Sequence, residues 1–527
     1  MAKKLIWAIP IIFIGVLFYW PLATILGRGF THEWVHDIFD PKTLDVLWFT
    51  FWQAVVSTAI CLLLGVPGAY ILYRRKFRGQ KILRALITVP FMLPTVVVAT
   101  AFSSFHKWNT TSAIWIIVAH VFINYSLAVR TIGSQWSELD RSTEEAAELA
   151  GAGRLRAFVS ITLPQLRGAF IAAAATIFLY CATSYGIILM VGGGLIHSLE
   201  TDIARAAIGM LDLPRTSALA LLQTLLSIVA FTISIRRGNS DVDFDGAGDG
   251  VNRSLIDRRD LPALLLTGLV ILGLLLVPMV SIFWRAFDSS KGAFYNFTQF
   301  NSHGYRDLLN VSVLQATQNS LRNMLVSACI SLLIGVLLAW LMGRSKSTRA
   351  SRFFDLLLLM PLGISTVVLG LGYLVTFSNP LFPLRESWLA VPLIQSVIAV
   401  PLVMRIVRPA IVGINAAQLE SAATEGASRA QIWQLIELPL IRKSVVAAAA
   451  FACLISIGEF GAASLLAFGD QATLPTVLYS LISRPGGDNY GMAMAVSALL
   501  MLFTFAVVLV VSLETPRRRR NRQNASA

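Results

Sequence analysis

Charge is scarce in this sequence: Asp, Glu, Lys and Arg make up 14% of its 527 residues, while 56% are hydrophobic. A soluble chain of this length needs far more charge to cover its surface, which excludes a soluble globular enzyme. Cysteine is scarce too. Cys61, Cys181, Cys329 and Cys453 stand singly inside apolar blocks, with no disulfide or metal-ligand spacing, and read as small buried hydrophobes. No GxxxxGK[ST] run is present, and Ser345-Lys346-Ser347 lacks the glycines that would cradle phosphates. The chain is therefore expected to be no enzyme, with no catalytic, cofactor-binding or metal-binding residues of its own. Lys3 and Lys4 precede an apolar run to about Leu26 without a small-residue cleavage site, so the run reads as an uncleaved first helix.

What is abundant is apolar sequence in blocks long enough to cross a bilayer, which takes roughly 20 helical residues each. Twelve spans are expected near 5–26, 48–73, 84–105, 112–133, 168–191, 216–235, 261–284, 319–343, 354–377, 388–413, 444–468 and 490–513. The net charge of +14 is clustered between them: Arg74, Arg75, Lys76, Arg78, Lys81 and Arg84; Arg236 and Arg237; Lys346, Arg349 and Arg352; Arg517 to Arg520. These clusters alternate with loops poor in cations, as the positive-inside rule requires, so they orient the chain in a bilayer and do not mark a nucleic-acid site. The expected fold is an all-α polytopic membrane protein in the cell (inner) membrane, with both termini cytoplasmic.

The most polar stretch, 238–260, reads as a flexible cytoplasmic linker. Asp241, Asp243, Asp245 and Gly246 match the start of a calcium-binding loop, but Asn252 replaces the Glu at its twelfth position. On either side lie a first transmembrane half, 1–237, and a second, 261–515, with a basic tail at 516–527. The halves repeat. EEAAELAGAGRLRAFVSITLPQLR matches LESAATEGASRAQIWQLIELPLIR, pairing Glu145 with Glu420, Gly151 with Gly426, Pro164 with Pro439 and Arg167 with Arg442, each 275 residues apart. Upstream, Gly65 and Pro90 resemble Gly335 and Pro361 at shorter offsets. An even number of spans separates the matched loops, near 140–167 and 415–442, so the six-helix halves are parallel repeats related by pseudo-symmetry.

Each loop opens on a helix cap, Asp140 or Asn415, with Ser142 and Glu145 offering a competing capping box in the first half. Glu145 or Glu420 sits near the positive end of the helix dipole, and Ala147 or Ala422 gives a small face. Gly151 or Gly426 ends the helix. A second amphipathic segment carries Phe158 or Trp433, then Pro164 or Pro439 before the next span. A short surface helix with a small face and an aromatic anchor suits a groove on a partner, and two copies with one spacing suit a twofold partner.

The pattern E-A-A, three residues, G, nine residues, I-x-L-P resembles the signature of permease subunits of ATP-binding-cassette importers. It is met at Glu145, Ala146, Ala147, Gly151, Ile161, Leu163 and Pro164, and at Glu420, Ala422, Gly426, Ile436, Leu438 and Pro439, with Ser421 for the middle Ala. The resemblance implies coupling helices that dock on a homodimer of ATP-binding subunits holding ATP and Mg, an extracytoplasmic substrate-binding protein, and a type I importer-like fold. Phe49 to Gly79, Ala450 to Leu466 and Thr473 to Ile482 resemble the branch of this family with fused halves that serves thiamine and ferric iron. The resemblance leans to thiamine or a thiamine phosphate, with ferric iron as the alternative.

Glu459 is the acidic residue placed clearly within a span, which makes it a candidate for the pathway or a gate, in either a structural or a substrate-contacting role. Its repeat mate is Ser184, followed by Tyr185. His120 is expected to bond between helices. Glu200, Asp202, Asp212, Arg205 and Arg215 are expected to charge an extracytoplasmic docking surface. The rival reading is an ion-gradient-driven secondary transporter of the major-facilitator type, whose loop after the second span would be acidic. Here that loop is RRKFRGQK.

Overall fold

The computed structural model describes residues 2–29, 34–103, 112–140, 142–237, 254–301, 311–343, 349–378, 384–484 and 486–514. The calcium-like motif at 241–252, Lys346 and the basic tail lie outside them. The described chain is almost wholly helical, an all-α polytopic membrane fold. Among the described residues ten helices are long and apolar enough to cross a membrane: Ile6–Arg28, Pro41–Arg74, Ala113–Glu138, Leu155–Ala182, Leu213–Ser234, Arg258–Phe287, Val313–Gly343, Ala390–Val412, Arg429–Gly458 and Gly487–Leu509.

The third and ninth spans differ from the straight helices expected. Gln80–Met92 meets Thr95–Ser103 at 95°, and Phe354–Leu362 meets Thr366–Thr376 at 96°. The bends have different local causes. Leu93 is extended because Pro94 follows it, disfavouring the helical conformation. In the second half Ser365 is extended, and its hydroxyl accepts from the backbone N–H of Val367 at 3.1 Å and of Val368 at 3.3 Å, starting a new helix.

Each bent pair nevertheless crosses. Arg74, ending the second span, donates to the Leu139 carbonyl just beyond the fourth at 2.9 Å and pairs with Glu144 at 2.7 Å. Both ends therefore share one side, and since the fourth span crosses once, the bent pair before it must cross too. In the second half Arg408, near the end of the tenth span, pairs at 2.8 Å with Asp355 at the start of the bent pair, which gives the same result. With each bent pair counted as one span, the described residues hold twelve candidate spans. The seventh span starts on this side as well, because Asp260 pairs with Arg75 at 2.9 Å.

Within each half the second and fourth spans of the repeat pack through a glycine. A Cβ on Gly65 would meet Ala128 Cβ at 2.7 Å, and one on Gly335 would meet Val403 Cγ1 at 2.6 Å. Small residues let membrane helices approach where no hydrophobic drive exists between them. The stretch read as a flexible linker is pinned at its C-terminal end. Ser254–Leu255 pairs in parallel with Arg75–Lys76, and buried Asp260 accepts from Arg75 and from Tyr70 at 3.0 Å.

Candidate functional site

The two matched loops form the same structure. Short helices Ser142–Leu149 and Ala416–Thr424 carry no buried residue. Asp140 accepts from the Ser142 N–H at 3.0 Å and Asn415 from the Ala417 N–H at 3.0 Å, the same capping geometry in both halves. Both helices end in a Schellman motif. Ala152 N–H bonds the Ala147 carbonyl at 2.9 Å and Gly151 N–H the Glu148 carbonyl at 3.0 Å; Ala427 bonds Ala422 at 3.0 Å and Gly426 bonds Ala423 at 3.1 Å. The motif needs a left-handed residue, and Gly151 and Gly426 have φ of 89° and 88°. Glu145, Ala146 and Glu420 are exposed, Ala147 and Ala422 half-buried.

The segment after each glycine is not a separate amphipathic helix. It runs unbroken into the fifth span, Leu155–Ala182, and the eleventh, Arg429–Gly458. Pro164 and Pro439 thus lie inside these long helices. A wider, π-type turn precedes each proline, at Phe158–Thr162 and Trp433–Glu437, and makes room for the ring and the missing N–H. Phe158 packs on Trp136 with ring centroids 5.4 Å apart, and Trp433 meets Trp340 edge-on at 6.5 Å.

Two carboxylates without a role in the sequence reading tie these loops to the bundle. Glu144 bridges Arg74 and the Thr162 hydroxyl, the latter at 2.7 Å. In the second half Glu437, at the position of Thr162, is buried and accepts from the Trp340 indole at 3.2 Å. The carboxylate has moved from the short helix to the long one.

A second feature lies between the halves. The fifth span breaks at Ser184 before Tyr185–Val191, and the eleventh at Glu459 before Gly461–Leu466, where one unbroken span was expected in each. Tyr185 and Phe460, repeat mates, stack with ring centroids 5.4 Å apart and planes 20° from parallel. Phe460 also meets Tyr479 at 5.6 Å. Glu459 accepts from the N–H groups of Ala462 at 2.7 Å and Ala463 at 3.1 Å, so its carboxylate caps the segment after the break. Ser184 Oγ is buried without a partner among the described residues.

Two expectations fail here. Glu200 is fully buried and Asp202 nearly so; Glu200 accepts from Gln223 at 2.9 Å and from Ser365, in the other half, at 2.5 Å. Of the proposed docking charges, Arg205 alone is exposed, with Asp212 and Arg215 half-buried. His120 is buried, but neither ring nitrogen has a partner among the described residues. The bond between helices comes from its neighbour one turn on, Asn124, which donates to Cys181 Sγ at 3.5 Å.

The sequence aligns over 514 residues, at 26% identity, with the thiamine transport system permease protein ThiP of Escherichia coli, covering 92% of this chain and 91% of that protein. ThiP of Haemophilus influenzae is 25% identical over 526 residues, 94% of this chain and 93% of that protein. The sulfate transport system permease protein CysT of Escherichia coli is 27% identical over 229 residues, 40% of this chain and 83% of its own length. The family model of the binding-protein-dependent transport system inner membrane component matches twice, over residues 61–237 and 332–520, each match taking in one loop, one broken span and one bent pair. With two tandem copies filling most of its length, the chain belongs to that family of membrane permeases.

Proposed function

We propose that this chain is the membrane-spanning subunit of an ATP-driven, binding-protein-dependent importer that carries thiamine or a thiamine phosphate inward by alternating access. The observation that carries the ATP-driven part is the pair of exposed short helices with one capping geometry, set on one side of the membrane. A twofold motor needs two equivalent seats, and few other partners do. Two copies of an ATP-binding subunit, with ATP and Mg held between them, would grip Glu145, Ala146, Ala147, Gly151 and Phe158 in one seat and Glu420, Ala422, Gly426 and Trp433 in the other. Pro164 and Pro439 lie in the helices that carry the stroke into the bundle.

The basic clusters mark the side of these seats as cytoplasmic, with both termini there and a substrate-binding protein on the opposite face. Tyr185 and Phe460 form the gate on the axis, held by the helix breaks at Ser184 and Glu459. Thiamine is favoured over ferric iron by the near full-length match to the ThiP proteins and by the aromatic character of the gate.

The test is co-purification with uptake. An ATP-binding subunit should purify with the chain, and Gly151→Arg or Gly426→Arg should release it. Vesicles holding the assembly should take up labelled thiamine only with ATP and binding protein. Uptake that persists without any ATPase and collapses with the proton gradient would establish the secondary transporter instead. Uptake of ferric ion in place of thiamine would move the substrate to the alternative.

A further inference from the structure

Two acidic side chains lie buried near the axis between the halves, and their charges are compensated differently. Glu459 accepts two backbone N–H bonds at the start of Gly461–Leu466. Glu200 accepts no backbone N–H among the described residues. Its donors are the neutral Gln223 amide and the neutral Ser365 hydroxyl, and no described cation pairs with it. A buried carboxylate without a compensating charge is costly in the membrane interior, which makes such a residue a functional-site candidate.

Its surroundings fit one class of cation. The segment that carries Glu200, Leu199–Ala204, packs against Tyr185–Val191, and the Tyr185 ring stacks on Phe460. Aromatic faces attract cations, more strongly once water is excluded. Two acceptors lack a donor among the described residues, one of them on the side chain that donates to the carboxylate. Gln223 uses its NH2 on Glu200 and on the Ala182 carbonyl at 3.2 Å, which leaves Gln223 Oε1 unpartnered, and Ser184 Oγ is unpartnered two residues beyond Ala182. All these groups are closed off here: Glu200 is 0% exposed, Phe460 3% and Tyr185 9%.

We propose that Glu200, with the Tyr185–Phe460 stack and the free acceptors of Gln223 and Ser184, forms the transit site for the positive charge of an aromatic cation bearing N–H donors. The site opens when the halves part and the Glu200–Ser365 bond between them breaks. This rests on the importer reading and adds to it the residue that recognises the charge. Because no repeat mate duplicates Glu200 (Pro475 stands at the equivalent position), the recognition is one-sided.

The experiment uses the full chain assembled with its ATP-binding subunits and binding protein in vesicles, comparing wild type with Glu200→Gln and Glu200→Asp. Thiamine is the cation probe and a neutral aromatic of the same size the control. Direct binding of both probes to the purified assembly is measured in parallel with uptake and ATP hydrolysis. Glu200→Gln should cut thiamine moved per ATP about tenfold, the effect of losing some 1.4 kcal/mol of charge recognition, and should abolish the binding preference for cation over neutral probe. Glu200→Asp should restore a large part of both. The ATP-binding subunits should still co-purify with the Glu200→Gln chain, since both seats keep all their residues. A Glu200→Gln assembly that keeps wild-type uptake per ATP overturns the proposal. So does one that loses uptake and stimulated hydrolysis in proportion, which marks a merely structural bond. Wild-type vesicles that take up no thiamine would refute the substrate reading, whereas wild-type assembly that shows no preference for the cation would refute this inference whatever the uptake.

Discussion

Tyr185 and Phe460 stack with ring centroids 5.4 Å apart, although 275 positions separate them in the chain (460 less 185). They are repeat mates, and equivalent residues that touch must sit on the axis relating the two halves, as identical residues do on a dimer axis. Under the proposed importer function the pathway follows that axis, and this stack is the proposed plug. Removing one ring by Phe460→Ala should let thiamine leak out of loaded vesicles without ATP, at a rate at least about tenfold above wild type. Phe460→Leu, which keeps most of the volume, should leak less. Equal, wild-type tightness in both would show that the pair lies off the pathway.

The glycines beside the stack are needed for space. A Cβ on Gly186 would meet Thr95 Oγ1 at 2.7 Å, and one on Gly461 would collide with Thr366 Oγ1 more severely. Each threonine starts the second arm of a bent pair, so the same contact docks a broken span on a bent one in both halves. Gly461→Ala should lower stability by about 1–3 kcal/mol, the usual range for overpacking, and Gly186→Ala by less. Thr366→Ala should rescue Gly461→Ala, and thermal unfolding of the wild type, the two single variants and the double variant gives the coupling directly. Additive effects would mean that the collision is relieved by shifting the helices.

The loops are more legible in the sequence than the axis, for a physical reason. A Schellman cap is local: Gly151 and Gly426, their alanines and the 275-residue offset can all be read without tertiary contacts. The bend at Pro94 is equally local, yet hydropathy hides it, because hydropathy counts apolar residues and is blind to direction. Glu200 is misplaced by its sequence because five other polar or charged residues stand with it in 197–205, a composition that reads as an exposed loop. Its burial depends on Ser365, 165 residues away in the other half, which no local pattern reveals. Arg74 and Arg75 read as charges that merely orient the chain in a bilayer for the same reason: their partners Glu144 and Asp260 are distant.

Space plays no part at Gly151 and Gly426, where nothing lies within 4 Å of the position a Cβ would take and only the left-handed backbone matters. Substitution should therefore sort by backbone preference. Asn tolerates the left-handed region, whereas a β-branched side chain does not. Gly426→Asn should retain most of the association with the ATP-binding subunit, and Gly426→Val should lose it while the bundle keeps its melting temperature. Equal loss in both would assign the position to direct contact with the partner, with backbone conformation secondary.

Arg74 offers the sharpest asymmetry between the halves. Its side chain is 4% exposed and joins Glu144 and the Leu139 carbonyl, and Glu144 in turn holds Thr162. The first short helix is thus strapped to both the second and fifth spans, whereas the second has Leu419 at the position of Glu144 and no such strap from that site. Removing one partner of a buried pair leaves the other charge uncompensated, which costs about 3–5 kcal/mol in full burial and less here, where the Glu144 side chain is 24% exposed. Glu144→Ala should accordingly destabilise more than Glu144→Gln, whose amide oxygen can still accept from Arg74 or Thr162. Both should weaken ATPase coupling through the first seat, and Leu419→Ala should leave the second seat intact. Hydrolysis per thiamine transported checks this: the ratio should rise in Glu144→Ala and stay at the wild-type value in Leu419→Ala. A reversed order would mean that the second seat carries the stroke and that the strap on the first merely stiffens it.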